Sequence, residues 1–154
     1  MVVGLLCAGL VGVTIGKGRR RSTGPSSGLA PAEKEAWLRS ARTAAADGRR
    51  IASSLSDVPD DVALGALTDA ELDTRIGELD LLGSQLTQVT CTAPTSMDVR
   101  VCRSVAVAAT SLGDSFRSER DRRRGDGRVV ARYALRCADF RDAVRDLSNH
   151  ADLL

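Results

Sequence analysis

The segment 128–154, RVVARYALRCADFRDAVRDLSNHADLL, gives the clearest indication of the fold. Its apolar residues recur at alternating intervals of three and four positions, a repeat that aligns side chains in one stripe along an α-helix. A helix with one apolar stripe needs other helices to cover it. This segment therefore predicts one helix of a bundle, with the stripe Val130, Tyr133, Cys137, Phe140, Val144, Leu147, Ala151 and Leu154.

Three preceding segments carry the same repeat. The four predicted helices cover about 31–55, 69–92, 97–124 and 128–153. Trp37 is expected in the core, beside a seam of small residues in the first helix. The other predicted core positions are Leu38, Ala41, Ala44, Ala45, Gly48, Ile51, Ala52 and Leu55; Leu72, Ile76, Leu79, Leu82, Leu86 and Val89; and Val99, Cys102, Val105, Ala106, Ala109, Leu112 and Phe116.

The segments between these helices carry stop and start signals. Pro59 disfavours helical geometry at the residue before it, and a short helical turn at 60–66 can follow. Thr68 and Glu71 have the spacing of a capping box, and Thr95 or Ser96 is expected to cap the third helix. Because the connections are short, we predict an all-α, antiparallel up-down four-helix bundle, coiled-coil-like, over 31–154. The alternative is an extended helical hairpin pair that completes its core by dimerising.

The first sixteen residues are predicted to form one short N-terminal transmembrane helix. Fifteen apolar or small residues would span about 22 Å as a helix, against about 30 Å for a bilayer core, so the anchor is short. Lys17, Arg19, Arg20 and Arg21 follow at once and resist translocation. We therefore expect a single-pass protein of the cell membrane, with its N-terminus outside, a basic neck and flexible linker at 17–30, and a cytoplasmic bundle.

The main rival to an anchor is a cleaved signal peptide, whose apolar core is about 7–15 residues long. That alternative gives an exported or outward-facing helical domain with a Cys91–Cys102 disulfide. Such a peptide carries its positive charge before the apolar run, whereas here the cations follow it. A further alternative is a bundle that senses a small ligand in a pocket between its helices.

Small residues recur at every fourth position of the predicted anchor: Gly4, Ala8, Gly12 and Gly16. On a membrane helix such a stripe lets backbones approach closely. We interpret it as a packing face for self-association or for a membrane partner, and mere smallness in a glycine-rich run is the competing interpretation.

Charge is distributed unevenly along the chain. Residues 1–21 carry +4, residues 22–97 carry −5 and residues 98–154 carry +3. The candidate contact surface for a protein partner is the basic run Arg117, Arg120, Arg122, Arg123, Arg124 and Arg128. The competing interpretation is internal pairing with acids of the first interhelical turn, Asp57, Asp60, Asp61 and Asp69. Nucleic acid is disfavoured because Glu119, Asp121 and Asp126 interrupt the run and no aromatic residues interleave for base stacking.

Nothing in the sequence favours an enzyme. It has one histidine, His150, expected in the last turn of the fourth helix, and no Cys-x-x-Cys pair or glycine-rich phosphate loop. We predict no catalytic residues, metal, cofactor or small-molecule substrate. The expected function is a non-enzymatic interaction or scaffold subunit at the membrane, working with a protein partner or as a homo-oligomer.

Overall fold

The computed structural model describes residues 30–125 and 132–154. This part of the chain is all-helical, with no strand. Its elements are α1 (Pro31–Ser54), a 3-10 turn (Leu55–Asp57), α2 (Asp61–Ala66), α3 (Asp69–Cys91), α4 (Ser96–Arg123) and α5 (Tyr133–Asp152).

The helix starts follow the predicted signals. Thr68 Oγ1 accepts from the Glu71 amide at 3.3 Å, and Glu71 Oε2 accepts from the Thr68 amide at 2.6 Å. This reciprocal capping box satisfies amide groups that the first turn of α3 leaves open. The predicted short turn at 60–66 is confirmed as α2, with the Asp60 carboxylate accepting from the amides of Val62 and Ala63.

The four long helices, α1, α3, α4 and α5, form the bundle. α1 packs against α3 and α5, and α4 packs against the same two helices. Near the start of α1, Trp37 Nε1 donates to the Val89 carbonyl, near the end of α3, at 3.0 Å. Arg42, also in α1, donates to the carbonyl of Ala151 at the end of α5. Both bonds join the start of α1 to the end of a neighbouring helix, so α1 runs antiparallel to α3 and to α5.

The core follows the predicted stripes closely. Trp37 is 2% exposed, and every predicted core position of α3 is buried. The rings of Phe116 and Tyr133 meet edge to face with centroids 5.6 Å apart. Burial raises the pKa of Tyr133, whose hydroxyl donates to the Val58 carbonyl at 3.1 Å. That hydrogen bond joins the loop between α1 and α2 to α5.

The two ends of the last predicted helix differ from expectation. α5 begins at Tyr133 rather than near residue 128, and Arg132 before it has a φ of 87°, in the left-handed region. At the other end, α5 stops at Asp152, so Leu154 remains 47% exposed instead of joining the core. Val130 lies outside the described residues.

The predicted anchor lies outside the described residues as well. This applies to the stripe Gly4, Ala8, Gly12 and Gly16, and to the neck cations Lys17, Arg19, Arg20 and Arg21. None of the helices that the structure describes combines the length and the apolar character needed to cross a bilayer.

Candidate functional site

The arginines of the second half of α4 face the acidic edge of α3. Arg120 Nη1 donates to Asp73 Oδ1 at 2.8 Å, and Arg123 Nη1 donates to Asp69 Oδ1 at 3.1 Å. Arg117 pairs with Asp80 farther along the same edge. Because these aspartates are four and seven residues apart, they share one face of α3. Three interhelical ion pairs thus join α3 to α4.

Glu119 lies beneath this edge and is 9% exposed. Its carboxylate accepts two hydrogen bonds from the Arg122 guanidinium, at 2.7 and 2.8 Å, and one from Arg123 Nε at 3.1 Å. The hydrogen bonds from Arg122, supported by those from Arg123, lower the pKa of Glu119, although burial acts in the opposite direction. Two of the arginines therefore neutralise a carboxylate on their own helix.

Internal pairing of these arginines therefore occurs, but only partly with the expected acids. Of the expected acids, Asp69 binds an arginine of α4, and Asp60 instead caps α2. The other two acidic partners are Asp73 and Asp80, farther along α3. Each exposed pair contributes about 0–1 kcal/mol, so these pairs add little to the stability of the contact between α3 and α4. Arg122 and Arg124 keep exposed positions at the end of α4, and Arg128 lies outside the described residues.

A second polar cluster, absent from the predicted sites, joins the start of α4 to the end of α5. Asp98 is 2% exposed. Its Oδ2 accepts from the Thr95 amide at 2.9 Å and from the Thr95 hydroxyl at 2.8 Å, while Oδ1 lies 2.5 Å from His150 Nε2. The spacing Thr95-x-x-Asp98 is a capping-box signal, but the partner from α5 has no signature in the sequence.

The Asp98–His150 pair links two helices but is not a complete catalytic arrangement. A carboxylate that orients an imidazole is half of a general-base system, which also requires a nucleophile within hydrogen-bond reach of the ring. Within residues 30–125 and 132–154, the ring's hydrogen-bond partner is Asp98, and no hydroxyl or thiol is bonded to it. The pair instead ties the C-terminal turn of α5 to the cap of α4.

Arg136 makes a further connection between α5 and α4 that the sequence did not indicate. Its guanidinium donates to the Ser111 carbonyl at 3.0 Å and to Ser115 Oγ at 2.9 Å. Ser115 is fully buried, so the arginine satisfies a polar group that would otherwise lie unpaired in the core.

The three cysteines in the described region are free thiols. Cys91 is exposed at the end of α3, whereas Cys102 and Cys137 are buried. The structure thus shows no disulfide between Cys91 and Cys102, the bond expected in the exported-domain alternative. Burial raises the pKa of Cys102 to about 11, which keeps that thiol protonated and unreactive near neutral pH. Over the described ranges, no group of three histidine, cysteine, aspartate or glutamate side chains could hold a metal ion.

Comparison with protein-family models, with curated proteins and with solved structures gave no significant match. What the structure establishes is the class of the described part of the chain, which is all-helical and built from packed helices.

Proposed function

We propose that this chain is a non-enzymatic, single-pass membrane protein that presents its helical bundle on the cytoplasmic face as an interaction or scaffold subunit. The proposal begins from the apolar run at 2–16 and the four cations that follow it. Such an order favours retention in the bilayer with the downstream part of the chain on the cytoplasmic side.

The observation that carries the proposal is how α1 begins. Residues 31–36 are all exposed, and Trp37 is the first residue of the helix to enter the core. The chain preceding α1 is therefore joined to an exposed helix end. A segment connected in this way can enter a membrane while the bundle stays folded beside it.

A binding role is supported by how the interior is filled. Ala41 and Ala109 are fully buried, and a Cβ added at Gly48 would lie 2.9 Å from Val144, which argues for tight packing of small residues and against a large interior cavity. At the end of α4, Arg122 and Arg124 are exposed. We propose that Arg124, of the six arginines first considered, is available to an acidic protein partner, since Arg122 binds Glu119 and the others described, Arg117, Arg120 and Arg123, bind α3.

Placement is tested by fusing a reporter after Leu154 and by extracting membranes with alkaline carbonate. The proposal expects the chain to remain in the membrane fraction and the reporter to be protected from protease added outside intact cells. Recovery of a soluble chain beginning near residue 17, or cleavage of the reporter from outside, would refute it.

The anchor's packing role has a separate test. Replacing both Gly12 and Gly16 with leucine should reduce crosslinked oligomer in membranes, because the larger side chains keep two helices apart. Ala8→Gly is the matched control, since it preserves small residues along the stripe. Unchanged crosslinking in the double variant would remove the stripe's role.

A further inference from the structure

The outer face of α4 carries a second regular stripe, on the side of the helix away from its buried residues. Its members alternate by three and four positions: Met97, Arg100, Ser104, Val107, Ser111 and Asp114. This is the spacing of a helix-pairing seam. Val107 at its centre is 64% exposed and Met97 is 45% exposed, although both are large apolar residues.

Val107 stands on a ridge between two grooves. On one side, a groove of about 620 Å³ lies between α3 and α4, with Val107 and Thr110 on its α4 wall. On the other side, a groove of about 410 Å³ lies between α4 and α5, with Val107, Ser104 and Ala108 on its α4 wall and Asp139, Asp142 and Asp146 on its α5 wall. A ridge flanked by two grooves is suited to packing against another helix.

The charges on the ridge are arranged symmetrically about Val107. Arg100 lies seven residues before it and Asp114 seven residues after it. Arg100 donates to Met97 Sδ at 3.1 Å and has no carboxylate within ion-pair distance among the described residues. Asp114 is 58% exposed at its side chain, and its Oδ1 accepts from Arg117 at 3.0 Å.

We propose that two copies of this chain pair through this ridge, with the two α4 helices antiparallel and Val107 at the two-fold axis. Antiparallel pairing places each Arg100 opposite Asp114 of the second copy, so one complementary pair is made twice, as a self-complementary interface requires. Parallel pairing would instead place Arg100 against Arg100, which is repulsive. Charge complementarity thus selects both the partner and its direction.

The association is measured by sedimentation velocity of the full chain in a mild detergent. Val107→Arg puts two cations at the axis and should weaken the dimer by at least about tenfold, equivalent to about 1.4 kcal/mol. The matched control is Val62→Arg, because Val62 is 81% exposed on α2 and outside the ridge. This control should leave the dimer unchanged.

Charge reversal supplies the more specific test. Arg100→Glu alone and Asp114→Arg alone should each weaken the dimer, and the double variant should restore it, because the pair is rebuilt with reversed signs. Thermal unfolding of each variant separates lost association from lost folding.

Three results would overturn the proposal. One is a wild-type chain that stays monomeric, which would show that the ridge does not bind a second copy. Another is a dimer that Val107→Arg does not weaken. The third is a dimer abolished by Gly12→Leu with Gly16→Leu but insensitive to every α4 variant, which would assign association to the anchor alone.

Discussion

Gly48→Ala should destabilise this protein, although an alanine usually strengthens a helix. Gly48 is buried in α1 where that helix meets α5. A Cβ added there would lie 2.9 Å from Val144 Cγ2 and 3.2 Å from Val144 Cγ1. Valine is stiff about χ1, so its methyl groups cannot turn away cheaply.

The expected change in the free energy of unfolding is the sum of two opposing effects. Replacing a mid-helix glycine with alanine stabilises a helix by about 0.5–1 kcal/mol. Overpacking a filled core costs about 1–3 kcal/mol. We therefore expect Gly48→Ala to lower the free energy of unfolding by about 1 kcal/mol, which corresponds to a decrease of about 2–4 °C in Tm for a domain of this size.

The assay is urea unfolding of the full chain followed by circular dichroism, with two kinds of comparison. Gly77→Ala and Gly83→Ala are matched controls in α3, because a Cβ at either position meets nothing within 4 Å. Each should stabilise the protein by about 0.5–1 kcal/mol. Gly48→Ala with Val144→Ala should cost less than the two single changes added together, because the second change removes the clash.

A stabilisation by Gly48→Ala equal to that of Gly77→Ala would refute the reasoning. It would mean that α1 and α5 are not in close contact at this level. Strict additivity of the Gly48 and Val144 changes would lead to the same conclusion, since the clash is the only link between them.

Three further predictions concern the Asp98 contacts, the buried Glu119 carboxylate and the cysteines. Asp98→Asn removes the charge that caps α4 and binds His150, so it should lower the unfolding free energy by about 2–3 kcal/mol in urea titrations. Thr95→Ala should lower it by about 1 kcal/mol. Equal stability of Asp98→Asn and wild type would contradict a stabilising contact between Asp98 and His150. Because the pKa of Glu119 is lowered in the folded state, its contribution to folding stability is complete above its unfolded pKa of about 4.3 and is lost as the pH falls through the lower folded value. Tm measured from pH 6 down to about 2 should therefore fall less steeply in Glu119→Gln than in wild type. Parallel curves for the two proteins would contradict this contribution of Glu119. Native labelling with iodoacetamide near neutral pH should modify the exposed Cys91 well before Cys102, whose thiol is buried and whose pKa is about 11, with peptide mass spectrometry as the readout; equal rates would show that Cys102 is accessible.

The fold was largely predictable because helix periodicity is a local property. A residue of α3 such as Leu82 or Leu86 is buried because its position on the helix points it inward, whatever the neighbouring helix is. The capping box of Thr68 and Glu71 is equally local, since both partners lie within one turn. Short connections then left few ways to arrange four amphipathic helices.

The polar contacts were less predictable because they depend on axial register between helices. Arg120 meets Asp73 rather than an acid of the first turn, and His150 reaches Asp98. Sliding α3 by one turn would exchange these partners without changing the apolar pattern of any helix. Sequence spacing within a helix carries no information about that offset.

By itself, the sequence determined the helical content and the inward stripes, because each follows from spacing along one helix. Tertiary structure alone decided which charges pair, that Asp98 is buried with a histidine, and that Val107 is exposed between two grooves. The physical reason is that these features depend on the separation and offset of helices distant in sequence, which close packing of the whole core sets at once.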